Sequence, residues 1–536
     1  MPAGAVSFRK GSCELPVRWG SRGHSGGTGR PGSIGFVLRL YARAVAAALL
    51  LAGPAAGGAQ AAQPAGLLTL VGSNSLANRG MNAALAMADH CAYVGSRNDG
   101  APQVVDVSDP AAPRVVGALA AHPGSTPREL RTVPGLKELA VLFYRLSGGI
   151  NGIDLYRWDS DCASPTLAGH YDFGGSAPHE FYLWEDPAQP KRVLLFVSMF
   201  ASATLELQVI DISNPASPAR LGGWAVPPAY GHAPLHSIDV SADGRTAYVS
   251  LWTGGLIVAD TSDFVTGRAN PTLRPLTPPA GAFRTSPGNV HSAVPLPGQS
   301  RVLTTDERYP APYGAGCPFG TAHIVDISNP ARPVALSTLA VPENQPSACS
   351  SATRGTWTSH NPTLTPHLAL LTWYSAGLEV FGLDDPSAPV RLAEYRASGV
   401  SPVQRDLQLG VTDTMSWSYP VIFKGLVYVV DINQGLLVLR YGGTHEAEVT
   451  GTEFLEGNSN ISRASAPTAA SPSPSATAGS PSPSASPAAV PRSSRPQPRL
   501  AASTVAIAVA LVALLLALGT ALGVRMRRHR SAHSKL

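Results

Sequence analysis

Residues 208–224 read QVIDISNPASPARLGGW, and nearly the same phrase stands at 103–119 (QVVDVSDPAAPRVVGAL) and at 323–339 (HIVDISNPARPVALSTL). Alternating β-branched residues favour an extended strand, the Asp/Ser/Asn group can hydrogen-bond the backbone of a tight turn, and the proline ends the ladder before a second apolar run begins. The phrase therefore predicts a hairpin. Weaker copies stand at 256–264 (LIVADTSDF) and 378–395 (LEVFGLDDPSAPVRLAEY). Upstream lies a further strand pair: in LHSIDVSADGRTAYVSLWTGGLIVAD (235–260) the turns fall at Ala242-Asp243-Gly244 and at Gly254-Gly255. Each unit thus has four strands.

Units begin near Asn82, Arg128, His179, His236, His291, His360 and Trp417. Seven four-stranded repeats predict an all-β, seven-bladed β-propeller, a fold that removes exposed sheet edges by closing on itself. The last unit (VIFKGLVYVVDINQGLLVLRYGG, 421–443) supplies only three strands, and Leu67–Ser73 (LLTLVGS) is a lone strand that can complete it. The propeller is expected over 62–445. With its VVDVSDP, VIDISNP and IVDISNP strands, the chain resembles the LVIVD-repeat family of bacterial and archaeal cell-surface propellers over roughly residues 67 to 441. That resemblance implies the fold and a surface location, and no single reaction.

Composition agrees with strands and turns. Only 14% of residues are charged, and 53 Gly and 49 Pro exclude a fold of long helices. Seven Lys/Arg against one Glu precede residue 44 and nine against no acid follow residue 460, so within a total of +5 the middle carries −10. An acidic body repels phosphate backbones, and nucleic acid is set aside as a partner. Residues 39–62 (RLYARAVAAALLLAGPAAGGAQAA) have the basic start, short apolar run and small-residue end of a secretory signal, so 1–61 is expected to be a leader, with 1–36 either a long n-region or, as favoured, an over-called start. Residues 503–524 are uncharged and long enough to cross a bilayer once. Arg525, Arg527, Arg528 and Arg530 follow, which places the tail 525–536 in the cytoplasm and the propeller outside the cell membrane. Between them, 446–502 is read as a disordered Ser/Pro/Ala-rich stalk, its composition unable to bury enough apolar surface to fold.

Aligning the units on their first turn puts His179, His236, His291 and His360 in one column, seven residues ahead of Asp186, Asp243, Gly298 and His367. First strands of propeller blades are innermost, so four imidazoles on adjacent blades face one mouth of the central channel. Two readings stay open. The ring holds Cu, Zn or Fe, with Glu180, His232, Asp306 and Glu307 as further ligands or as groups orienting the rings; or each imidazole stitches its blade to the next blade's backbone. The column is also similar, in part, to the copper-binding histidines of selenium-binding proteins and methanethiol oxidases, which implies a copper-dependent oxidoreductase. Trp252, Trp373 and Tyr374 end second strands on the same face and can stack on a ligand. The sequence has no second His to make a zinc-protease helix from His179-Glu180, no Gly-x-Ser-x-Gly elbow, no phosphate loop and no dinucleotide fingerprint.

Cys91 and Cys162 fall on one face of the ring and Cys317 and Cys349 on the other, which predicts the disulfides Cys91–Cys162 and Cys317–Cys349 in an oxidising compartment. The second would brace the loop 308–320, the expected specificity element. Together these features lead to a membrane-anchored extracellular propeller that binds a protein, glycan or small ligand at its loop-rich mouth, with a metal-dependent oxidoreductase as the rival.

Overall fold

Asp211 accepts a hydrogen bond from the Ser213 amide (2.9 Å) and Asn214 one from the Ala216 amide (3.3 Å), and Asp326 and Asn329 repeat this with Ser328 (2.8 Å) and Ala331 (3.1 Å). Those side-chain caps turn the chain between the third and fourth strands of a blade, as the repeated phrase requires. The computed structural model describes residues 67–465 apart from 203, 232, 287, 311–315, 346, 349–354, 407 and 410–411. Seven antiparallel sheets make up the described chain, six of them with four strands in sequential order. Their first strands are Asn82–Ala88, Ser125–Val133, Ala177–Glu185, Ser237–Val240, Val290–Pro295, Pro362–Leu364 and Val421–Phe423. The fold is a seven-bladed β-propeller.

Ring closure is circular. Leu68–Asn74 pairs antiparallel with Gly435–Tyr441 of blade seven, from Leu68 opposite Tyr441 to Asn74 opposite Leu436. Neighbouring blades lock at their rims where a turn carbonyl meets a glycine. A Cβ on Gly169 of blade two would lie 2.0 Å from the Pro215 oxygen in the turn of blade three, and one on Gly72 would lie 2.3 Å from the Pro110 oxygen of blade one. Only glycine admits such an approach. Apolar side chains of adjacent sheets interleave between the blades, as Tyr93 and Ala86 of blade one do with Leu130, Val141 and Phe143 of blade two.

Blade four departs from the pattern. Its copy of the phrase, LIVADTSDF, lacks the proline stop, so Ser262–Thr266 turns as a short helix ending on Gly267 (φ 68°), and the fourth strand shrinks to Arg274–Pro275. A second departure corrects the boundary expected at 445. Residues 446–450 are helical, Thr452–Glu456 pairs with the inner edge of blade seven and Ser462–Ala464 pairs in turn with it, giving that sheet six strands. This stretch lacks the repeat's turn chemistry, and it folds by adding to edges the ring already offers. Its Asn458 Nδ2 donates to the Phe181 carbonyl (2.8 Å), and Asn460 exchanges hydrogen bonds with Glu185 (2.7 and 2.8 Å), both in blade three. The segment therefore crosses the channel at the end where inner strands finish.

Cys91 and Cys162 form a disulfide between blades one and two, with Cα atoms 6.0 Å apart. Cys317 is disulfide-bonded, and Cys349 lies outside the described residues. Among the described residues no helix is long and apolar enough to cross a membrane. The leader 1–61, the remaining stalk from 466, the span 503–524 and the tail 525–536 lie outside the described residues.

Candidate functional site

The histidine column starts from the way inner strands enter the ring. In blades three and five the pairing of the first two strands slips at Pro178/Glu180 and at Val290/Ser292, leaving His179 and His291 as the unpaired residues of β-bulges. A bulge re-aims side chains that plain alternation would send to opposite faces. His236 and His360 stand just ahead of the first strands of blades four and six, their amides bonded to the carbonyls of Ser250 (2.8 Å) and Thr372 (3.0 Å). All four are buried, with successive ring centroids 4.3, 4.1 and 3.8 Å apart.

Their Nε2 atoms face inward. His179 Nε2 lies 2.8 Å from His236 Nε2. Glu307 Oε2 is 3.9 Å from His236 Nε2 and 4.0 Å from His291 Nε2, and its Oε1 is 3.5 Å from His360 Nε2. Glu180 Oε1 is 3.7 Å from His291 Nε2. Glu180 Oε2 and Glu307 Oε2 are buried and make no hydrogen bond.

Hydroxyl groups join the blades beside the histidines. Ser198 Oγ of blade three donates to the His236 carbonyl (2.7 Å), Ser237 Oγ of blade four to the His291 carbonyl (2.7 Å), and Thr305 Oγ1 of blade five to the His360 carbonyl. His360 joins blades as well: its Nδ1 donates to the Trp417 carbonyl of blade seven (2.6 Å), and its Nε2 faces Glu307. His291 Nδ1 lies 2.7 Å from Ser292 Oγ.

Burial, reinforced by the neighbouring imidazoles and by Arg128, drives the protonation of His179 and His291 well below its ordinary range. Burial brings His236 down to about 3 against the pull of Glu307. The two carboxyls split. Burial and the nearby Glu129 raise Glu180 far above 4.5, whereas for Glu307 the hydrogen bond and charge of His360 overcome burial and hold it at about 2. The site thus sets an ionised Glu307 beside His179, His236 and His291, whose protonation burial disfavours.

Other residues singled out from sequence fall in several places. Tyr374 is buried and its hydroxyl donates to Glu307 Oε1, so it positions the carboxylate. Trp252 stacks on His236 with centroids 4.8 Å apart and lines the cavity above the ring. Trp373 needs correction as a ligand-stacking residue: it is fully buried among apolar side chains of blades five and six, and its Nε1 donates to the Trp357 carbonyl (3.0 Å). Asp306 needs the same correction as a ligand. It closes the strand Arg301–Asp306, where consecutive side chains face opposite ways, so Glu307 points into the channel while Asp306 accepts from Thr285 Oγ1 (2.6 Å) and meets His323 (3.2 Å). His232 lies outside the described residues, as do 311–315 of the loop 308–320, whose Tyr309 lines the cavity.

Sequence reasoning passed over Arg128. It is the unpaired residue of the same bulge in blade two, where pairing slips at Pro127/Glu129. The signal was present: Pro127-Arg128-Glu129-Leu130 parallels Pro178-His179-Glu180-Phe181. Deeper in the channel Arg131 lies 3.0 Å from Glu129 Oε2 and 3.7 Å from Glu456 Oε1, a buried cluster joining blade two to the C-terminal segment.

Residues 82–120, 201–223, 236–273 and 322–339 match the LVIVD repeat. The propeller carries LVIVD repeats over these four stretches. No curated protein matches it by sequence. By structure the LVIVD-repeat propeller is similar to a protein from Lactobacillus plantarum, with 13% identity and a TM-score of 0.42 over 62% of this chain and 85% of that one. It is also similar to the periplasmic gluconolactonase of Pseudomonas aeruginosa, with 15% identity and a TM-score of 0.46 over 69% of this chain and 95% of that one. Neither likeness carries an argument about what this propeller does.

Proposed function

We propose that this LVIVD-repeat propeller is a metal-dependent enzyme in which His179, His236, His291 and His360 hold one first-row transition ion at the mouth of the channel. The supporting observation is the placement of four imidazoles on adjacent blades, with ligand atoms of His179, Glu180 and His236, and of His236, His291 and Glu307, each within 4.8 Å of one another. Metal–nitrogen bonds of about 2.0–2.1 Å put neighbouring ligand atoms roughly 3.0–3.4 Å apart. His179 Nε2 and His236 Nε2 stand 2.8 Å apart, and Glu307 lies 3.5 to 4.0 Å from Nε2 of His236, His291 and His360. Imidazole ligands suit copper, zinc or iron, and a single carboxylate among them does not suit calcium or magnesium.

When bound, the ion supplies Lewis-acid or redox chemistry. The chain's own residues do the positioning. His360 Nδ1 on the Trp417 carbonyl fixes its tautomer, Tyr374 holds Glu307, and Trp252 shields one face of His236. The leader and span expected from the sequence put this work outside the cell membrane, on a small ligand entering from the mouth.

Elemental analysis of metal-replete full-length protein tests the proposal. The expected result is about one Cu, Zn or Fe per chain, lost in the quadruple His179→Ala, His236→Ala, His291→Ala, His360→Ala variant while the β-sheet circular dichroism persists. Metal-free wild-type protein would return the mouth to the role of a plain ligand-binding surface.

A further inference from the structure

Arg128 stands in blade two at the position where blades three to six carry the histidines, and among the described residues its guanidinium makes no hydrogen bond or ion pair. It lies over the rings of Tyr144 (6.0 Å) and Trp417 (5.4 Å). Arg97, its neighbour, is already matched, with Nε 2.7 Å from Asp406 Oδ2. Both arginines, Tyr144, Trp252, His179 and His236 line a cavity of about 610 Å³. That volume lies within the range of roughly 300–1,000 Å³ that holds small organic molecules.

We propose that this cavity binds a small organic monocarboxylate, its anionic end on Arg128 and its ring-bearing body against Trp252 and Tyr144, beside the imidazoles. A guanidinium fork matches a carboxylate bidentately. A single guanidinium without a hydrogen-bonded carboxylate matches one carboxylate, and the aromatic walls disfavour a strongly hydrated dianion such as a phosphate monoester. The Glu307 carboxylate lies among the imidazoles, so charge repulsion turns the anionic end toward Arg128 and the uncharged body toward the ring. What happens to the ligand there rests on the metal reading above; its capture by Arg128 does not.

Calorimetric titration of the full-length protein with benzoate, benzamide and phenyl phosphate, before and after chelator treatment, tests the assignment. Benzoate is expected to bind at least about tenfold tighter than either other probe, with or without metal, the size of effect a charge-assisted pair gives. Arg128→Gln is expected to abolish that preference, and Arg128→Lys to restore part of it, with melting temperatures reporting that both variants fold. Equal binding of benzoate and benzamide, tighter binding of phenyl phosphate, or benzoate affinity that depends on metal and not on Arg128, would overturn it. Arg128-dependent benzoate binding in a protein that takes up no metal would support this site and defeat the metal centre.

Discussion

At the end of the channel where inner strands begin, Arg128, His179 and His236 line a cavity open to small molecules, and His291, His360 and Glu307 lie buried beside them. At the end where those strands finish, Thr452–Glu456 and the asparagines after it run from blade seven to blade three and cover the opening. Both ends bury charge, and they balance it differently. At the covered end Arg131 sits between Glu129 and Glu456, so the chain answers its own charges. At the open end burial disfavours a charge on His236 beside Glu307, and Arg128 faces aromatic rings, so part of the balance is left for something that enters. A ring of identical scaffolds can carry a structural end and a chemical end because the blade needs only its turns and strand alternation, and leaves the inner-strand entry position free to vary.

The largest effect expected from breaking this contrast lies at the covered end. Arg131→Met leaves two buried carboxylates without their cation and should cost about 3–5 kcal/mol of unfolding free energy in urea titrations. At the open end Glu307→Gln should leave stability nearly untouched and weaken metal binding roughly 10–100-fold in competition with a chelator, the range for groups that orient metal ligands. Asp306→Asn, one residue away on the opposite strand face, should leave the metal affinity as it was; equal losses at the two positions would contradict the strand alternation.

A smaller, pH-dependent effect separates the ends further. Burial raises Glu456 to about 7 from 4.5, so the folded state keeps a proton that the unfolded chain releases. Its contribution is present below about 4.5 and is lost as pH rises through about 7. Denaturation of metal-free wild type and Glu456→Gln across that window should show the wild type losing stability relative to the variant. A difference that stays flat would place Glu456 in water rather than under the ring.

The fold was legible because its determinants are local: the Asp-x-Ser-Asn-Pro turn writes its own hydrogen bonds, and the same letters recur from blade to blade. The histidine column was legible for a similar reason, as one register position repeated. Arg128 occupies that position with a different residue, and a search for identical letters steps over it. Arg131 and Glu456 meet across more than half the described chain, a proximity that only ring closure creates. The segment 446–465 looked like the start of a stalk because it lacks the repeat's turn, and its order comes from edges supplied by blades three and seven. Glu307 and Asp306 were read alike, although strand alternation alone sends adjacent side chains apart.

The central claim is that one metal ion sits on four imidazoles at the open end of the channel. Anomalous diffraction from crystals of the metal-loaded protein, measured on both sides of the metal's absorption edge, tests it most directly. The account predicts a single strong peak about 2.0–2.2 Å from Nε2 of at least three of His179, His236, His291 and His360. No peak there, or a peak only at the surface group His367, His445 and Glu448, would contradict it.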